Sequence, residues 1–304
     1  MSAPWLMISA TLLFAVMGVC SKLASAQYGA GEVVFYRGLV GALMMWALVR
    51  TRGGSLKTRL PAMHFWRGLC GVCALVLWFH SIFKLPLVTA MTLNYMSSVW
   101  MALFLVGGAV VQNPQRAQSP SKEAAVDGRL VASVLVGFAG VALILQPTIA
   151  RDQLWHGLAG LASGLLAAVA YLQVITLGRA GEPEIRIVFY FSVAGVVAGG
   201  ALMAFSEVHR HDLRGAGLLL AIGVLATTAQ MMMTRAYKIG RTLTNACLQY
   251  LGIVFAVGFG ALLFDDPVTG LALAGMLLIV LAGLAATLLR ARQAPVATFS
   301  SGDS

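Results

Sequence analysis

Between its charged residues, this 304-residue chain carries runs without Asp, Glu, Lys or Arg that are long enough to cross a bilayer. They occupy 2–21, 68–83, 85–115, 130–150, 153–178, 187–206, 215–234, 242–264 and 267–289, and a tenth stretch, 33–49, is broken only by Arg37. A helix crosses a hydrocarbon core of about 30 Å with roughly 20 apolar residues, so the runs predict ten membrane spans. They are continuous rather than alternating, which excludes a β-barrel. Only 11% of the residues are charged, against roughly 25% in soluble domains. That is too little to clothe a water-facing surface, and it excludes a cytosolic globular enzyme. The longest gaps, 50–67 and 112–129, are too short for a soluble domain. The expected fold class is an all-α polytopic membrane protein whose work is done inside the bilayer.

The formal charge of +10 does not point to nucleic acid, because the basic residues stand singly between apolar runs, as topology signals do. With the N-terminus inside, 14 Lys and Arg fall in inner loops and tail and 4 in outer loops, a bias that puts both termini in the cytoplasm. Ala24-Ser25-Ala26 after run 2–21 resembles a signal-peptide cleavage site. No Lys or Arg precedes that run, however, and it is long for the apolar core of such a peptide, so a retained span is expected. Cys70-x-x-Cys73 has metal-like spacing but lacks a second pair and lies in an apolar run; neither metal nor cofactor is expected.

The chain repeats itself. Leu93-Asn94-Tyr95-Met96-Ser97-Ser98-Val99-Trp100 is answered by Leu248-Gln249-Tyr250-Leu251-Gly252-Ile253-Val254-Phe255, half a chain later. The matched segments are spans 4 and 9, so the repeat unit is five spans. Five is odd, and the second copy must enter the membrane inverted. The expectation is ten transmembrane helices as two inverted five-helix repeats, the architecture of alternating-access carriers with a midplane site. Residues 1–127 hold spans 1–4 and an inner loop, 128–150 close the first repeat, 151–290 form the second, and 291–304 form a disordered cytoplasmic tail.

Leu13 to Lys22, Phe35-Tyr36-Arg37-Gly38, Arg67-Gly68, Leu85 to Ala90, Leu93-Asn94-Tyr95 and Ala246 to Phe264 followed by Asp265-Asp266-Pro267 together resemble the drug/metabolite transporter superfamily, in its EamA-like branch. The resemblance covers roughly residues 5–290. It departs at Val111-Gln112-Asn113-Pro114, where the family often has an acidic residue, and in the long loop 112–129. It implies a bacterial inner-membrane carrier of small metabolites, most often an exporter of amino acids or related compounds. Importers of vitamins or nucleoside-like cofactors, of the riboflavin or S-adenosylmethionine type, also occur among similar proteins.

Polar residues inside spans are costly unless paired or facing water, so they nominate the pathway. Asn94 and Ser98 share one face of span 4, with Tyr95 beside them. Asn245 and Gln249 share a face of span 9, with Tyr250 beside them, and Thr227 and Gln230 share a face of span 8. Trp78 and His80 on span 3, and Tyr171 and Gln173 on span 6, complete the candidate substrate-binding set. The same amides and hydroxyls also serve as bonds between helices. Of the membrane charges, Lys22 and Arg37 lie near the outer side and Arg235 near the inner; they are structural or gating residues, with Glu32 a possible partner. No acidic residue falls mid-span, which argues against a proton-coupled cation antiporter. His80 is either a core histidine or the group through which a proton couples. The predicted cavity is uncharged and amide-rich, suited to a small polar or zwitterionic metabolite. The protein would work as a monomer or homodimer in lipid.

The competing class is a membrane sensor or scaffold without flux. Neither H-E-x-x-H nor G-x-S-x-G occurs, so no enzyme is expected. His209-Arg210-His211-Asp212 reads either as a metal-like cluster or as a solvated loop.

Overall fold

The computed structural model describes residues 1–101, 103–104, 128–145 and 154–264, with scattered positions between 269 and 285. Helices α1 (Ala3–Ala24), α2 (Ala30–Arg52), α3 (Pro61–Lys84) and α4 (Leu87–Tyr95) are followed by α5 (Gly128–Leu145), α6 (Leu154–Arg179), α7 (Glu184–Met203), α8 (Leu213–Ile239), α9 (Thr242–Gln249) and α10 (Leu251–Leu263). No strand occurs among the described residues. Seven helical stretches there, counting α9 and α10 as one, are long and apolar enough to cross a membrane. The rest of the expected count falls partly on residues outside the described set, as do the departures at 111–114 and in loop 112–129 and the tail 291–304.

Helix boundaries follow local chemistry. Glu32, in the first turn of α2, reaches back to accept the Gly29 N–H at 2.9 Å. Gly53 ends α2 in the left-handed region at φ 65°, which a residue without Cβ enters at no steric cost. Pro61 opens α3, where its missing N–H is one of the orphans of any helix start. The helix therefore begins seven residues before the charge-free run 68–83, and Arg67 belongs to it rather than to the preceding loop. α4 and α9 stop within one residue of corresponding points of the matched segments, at Met96 and Tyr250. There the bonds tighten to i→i−3: Val99 N to Met96 O at 3.0 Å and Ile253 N to Tyr250 O at 2.9 Å. Such mid-span tightening often marks a hinge.

The main packing partners are α2 with α7, α1 with α8 and α3 with α6. Next come α2 with α8 beside α3 with α7, and α1 with α10 beside α4 with α6. Exchanging α1 for α6, α2 for α7, α3 for α8 and α4 for α10 maps this set onto itself. At the centre, α2 and α7 touch backbone to backbone. A Cβ on Gly38 would stand 2.7 Å from the Ser192 carbonyl oxygen, and one on Gly199 would meet the Phe35 backbone. Close approach through small residues is how helices associate where lipid offers no hydrophobic drive. Gly164 likewise lets α6 onto α4, where a Cβ would sit 2.6 Å from the Leu93 carbonyl.

Each end of the bundle carries a buried carboxylate that grips the opposite half. Glu32 accepts the His209 N–H at 2.9 Å and has the His209 Nδ1 at 2.8 Å. Glu182, in the turn before α7, accepts from Thr58 Oγ1 at 2.7 Å and Arg186 Nη1 at 2.8 Å, with His64 Nε2 at 3.5 Å. Burial pushes the Glu182 carboxyl up, but the Thr58 and Arg186 bonds and the Arg186 charge outweigh it and leave it below the usual carboxylate range. Two apolar clusters fill the interior, one around Phe79, Ile82 and Ala226 and one around Met7, Ala168 and Tyr237.

Candidate functional site: a central cavity with two arginines

Between those clusters lies a half-open cavity, with Met17 and Met91 from one cluster and Met7 and Met233 from the other in its wall. The tightened segments deliver their amides to it: Asn94 from α4 and Gln249 from α9 both line the wall, joined by Gln230 from α8. Asn94 Nδ2 donates to Ser163 Oγ at 3.0 Å. The Gln249 carbonyl accepts from Ser98 Oγ at 3.2 Å, while its Nε2 lies 3.7 Å from the Met233 sulfur. The Gln230 Nε2 is buried without a partner. Trp78, Tyr95 and Tyr171 also reach the cavity, the last stacked on Tyr237 with ring centroids 5.7 Å apart.

The expectation of an uncharged cavity is overturned. Arg37 from α2 and Arg67 from α3 both line it, and both are buried, at 6% and 2% exposure. Their guanidinium carbons lie 5.2 Å and 4.2 Å from the centroid of one ring, that of Phe191. Arg37 Nε and Arg67 Nε and Nη1 have no hydrogen-bond partner. Among the described residues, no Asp or Glu lines the cavity. Glu32 is not the partner of Arg37, because it is engaged by His209 and the α2 N-terminus.

Arg67 was missed because the charge-based reading places it in the inner loop. The available signal is spacing: Arg67, Gly71, Ala74 and Trp78 recur at four, three and four residues, one face of a helix that Pro61 starts early. Gly71 makes the space, since a Cβ there would collide with the Arg67 guanidinium.

The remaining candidates do not line the cavity. Ser98 is buried behind it, bonding the Ala246 carbonyl at 2.8 Å as well as Gln249. Asn245 donates to the Ala236 carbonyl at 2.6 Å, closing the end of α8. Thr227 is buried between α8 and α2, its hydroxyl 2.8 Å from where a Gly41 Cβ would sit. Tyr250 packs against Gly137 of α5. Gln173 faces Cys70, 4.0 Å from its sulfur. His80 lies in a separate open groove, with its Nε2 3.0 Å from the Nδ1 of His156. Lys22 donates to the Ile82 and Leu85 carbonyls at 2.9 and 2.8 Å and so caps α3, while Arg235 is exposed.

The 209–212 loop is a docking element. Besides His209, His211 sits 2.8 Å from the Tyr36 hydroxyl and 3.1 Å from that of Tyr28, and Asp212 accepts from Gly215 N at 2.7 Å. No group of three or more His, Cys, Asp or Glu able to hold a metal occurs among the described residues.

An all-helical bundle with a polar cavity walled by several of its spans is the build of a membrane transporter. Comparison with known proteins agrees. The chain is 33% identical over 280 residues to the pseudopaline exporter CntI of Pseudomonas aeruginosa, covering 92% of this chain and 94% of that protein. It is 24% identical over 288 residues to an uncharacterized transporter of Helicobacter pylori, with 92% of each covered. A solved structure shares the fold with a TM-score of 0.76 over 95% of this chain and 98% of that one, at 19% identity. No protein-family model matches the chain. The chain belongs to the family of membrane transporters that includes CntI.

Proposed function

We propose that the protein exports a small organic anion across a bacterial inner membrane by alternating access, as ten spans in two inverted five-helix repeats with both termini in the cytoplasm. The exchangeable set of helix contacts and the paired tightenings at Met96 and Tyr250 support the inverted repeat.

The observation that carries the substrate class is the pair of buried guanidinium groups of Arg37 and Arg67, with free donors and no carboxylate among the described residues of the wall around them. A buried charge is retained at a cost unless something pairs with it, and a guanidinium fork fits a carboxylate. The substrate is therefore an organic acid, most readily one with two carboxylates. Asn94, Gln230 and Gln249 would read its uncharged polar groups, and Trp78, Tyr171 and Phe191 would face its apolar parts. Amino-acid-derived acids meet this description, and pseudopaline, for which the relatives at 33% identity are named, is the first compound to test.

The test is flux through proteoliposomes holding the full chain, with labelled pseudopaline, glutamate, succinate, adenine and riboflavin. Acidic members should move saturably and adenine should not. Arg37→Gln and Arg67→Gln should each slow that flux tenfold or more, because a hydrogen bond to a charged group contributes about 1.5–3 kcal/mol. Unchanged flux in both variants would remove the anion site.

A further inference from the structure

Arg37 and Arg67 are the only charged side chains among the described residues of the cavity wall, and both are cations. The acidic residues that reach into the bundle from its ends are already engaged, Glu32 by Gly29 and His209, and Glu182 by Thr58 and Arg186. An ion taken out of water costs several kcal/mol in a real protein. The face of Phe191 returns only a small part of that cost for a cation held over it, and two like charges on one ring repel. Water in an open cavity offsets this. An empty cavity that closed to turn around would trap two cations with neither water nor partner.

The space around Arg67 is also built rather than accidental. Gly71 stands where any side chain would collide with the guanidinium, so the Arg67 head lies in the cavity wall with Nε and Nη1 unspent. Together with Arg37 Nε, these donors sit about the same Phe191 ring, an arrangement for a small anion as well as for a carboxylate.

Resting on the reading of this cavity as an anion site, we propose that a small monovalent anion, a halide or a small carboxylate, replaces the organic acid between Arg37 and Arg67 once it has left. The transporter is then an anion exchanger. The counter-anion neutralises the pair during the return step, and its differential affinity for the closed cavity is what accelerates that step.

The experiment uses chloride itself. Proteoliposomes of the full chain are loaded with radioactive chloride, the membrane potential is clamped, and release is followed into chloride, acetate or a bulky sulfonate buffer with no small anion. Release into chloride should saturate and run at least tenfold faster than into the sulfonate. Restoration by chloride alone assigns a halide, and restoration by acetate as well assigns small monovalent anions at large. Arg37→Gln and Arg67→Gln should fall to the rate of protein-free vesicles. Arg67→Lys should retain part of the exchange, and Gly71→Ala should weaken it with the charge intact. Melting temperatures of the purified variants in sulfonate buffer check that each one is folded.

Equal release into all three media, or none above protein-free vesicles, overturns the exchange. A rise in melting temperature with succinate in the same preparation separates the two ideas. Succinate stabilisation without chloride movement sinks the exchanger and leaves the organic-anion site standing, whereas absence of both removes both.

Discussion

The charges at the two ends of the bundle and the charges in its centre are treated in opposite ways. At the rims the two buried carboxylates and Lys22 are engaged: Glu32 takes three donors, Glu182 takes Thr58 and Arg186, and Lys22 spends its ammonium on two carbonyls of the α3 terminus. In the cavity Arg37 and Arg67 share the face of Phe191, with donors left over. The rim carboxylates hold the two halves together through named donors, whereas the central guanidinium groups make no such bond through Arg37 Nε, Arg67 Nε or Arg67 Nη1. On the proposed function, the contrast separates charge that holds the bundle from charge kept for a ligand.

Swapping the treatments gives the largest effect. Glu182→Ala removes the acceptor of Thr58 Oγ1 and of Arg186 Nη1 and should lower stability by about 2–3 kcal/mol, the worth of hydrogen bonds to a charged group. Arg67→Met removes a buried cation with no acidic partner among the described residues of the cavity wall, so its stability should be unchanged or higher, in line with apolar replacement of buried charge. Melting in detergent checks both. If Arg67→Met costs as much as Glu182→Ala, the cavity arginine is structural and the contrast fails.

The two amide-bearing positions of α9 make the same comparison at smaller scale. Asn245 is bonded to the Ala236 carbonyl at the α8 terminus, whereas Gln249 stands in the cavity wall. Asn245→Ala should cost about 1 kcal/mol of stability with flux per folded molecule retained. Gln249→Ala should keep its melting temperature and lose flux about tenfold, the rate equivalent of one such bond at roughly 1.4 kcal/mol. Transport into proteoliposomes, normalised to folded protein, separates the two.

Helical span and spacing were legible because both follow from chain periodicity and the thickness of lipid. Asn94, Gln249, Gln230, Trp78, Tyr95 and Tyr171 carry a polar or aromatic signal on one helix face, and the structure brings all six to one cavity. Periodicity could not separate Gln249 from Asn245, since the two share a face. Their difference lies in whether a carbonyl from another helix end comes within reach, which only packing decides. His80 looked like a pathway residue because it shares span 3 with Trp78. Two residues along a helix is about 200° around it, and His80 therefore faces the groove with His156 instead. Arg67 was hidden by its position beside a loop rich in Lys and Arg, where a basic residue reads as a topology signal. Seeing it required noticing that Pro61 moves the helix start back by two turns.

The smallest effect concerns acid. The Glu182 carboxyl is held below the ordinary range because the Thr58 hydroxyl and Arg186 favour its charged form more than burial disfavours it. A carboxyl whose folded pKa is depressed binds protons more readily in the unfolded chain, so its contribution is fully present above the unfolded value of about 4.3 and is lost as the pH falls through the lower folded value. Between pH 7 and 5 the contribution of Glu182 itself should be constant. From about pH 4 downwards, the melting temperature of the wild type should drop more steeply than that of Glu182→Gln, which has no carboxyl to protonate, with the two curves converging by a few degrees. Parallel curves across that window would mean that Glu182 does not hold the rim by its charge. The cavity offers the control: it has no described carboxylate in its wall, so Arg67→Met should follow the wild-type curve throughout.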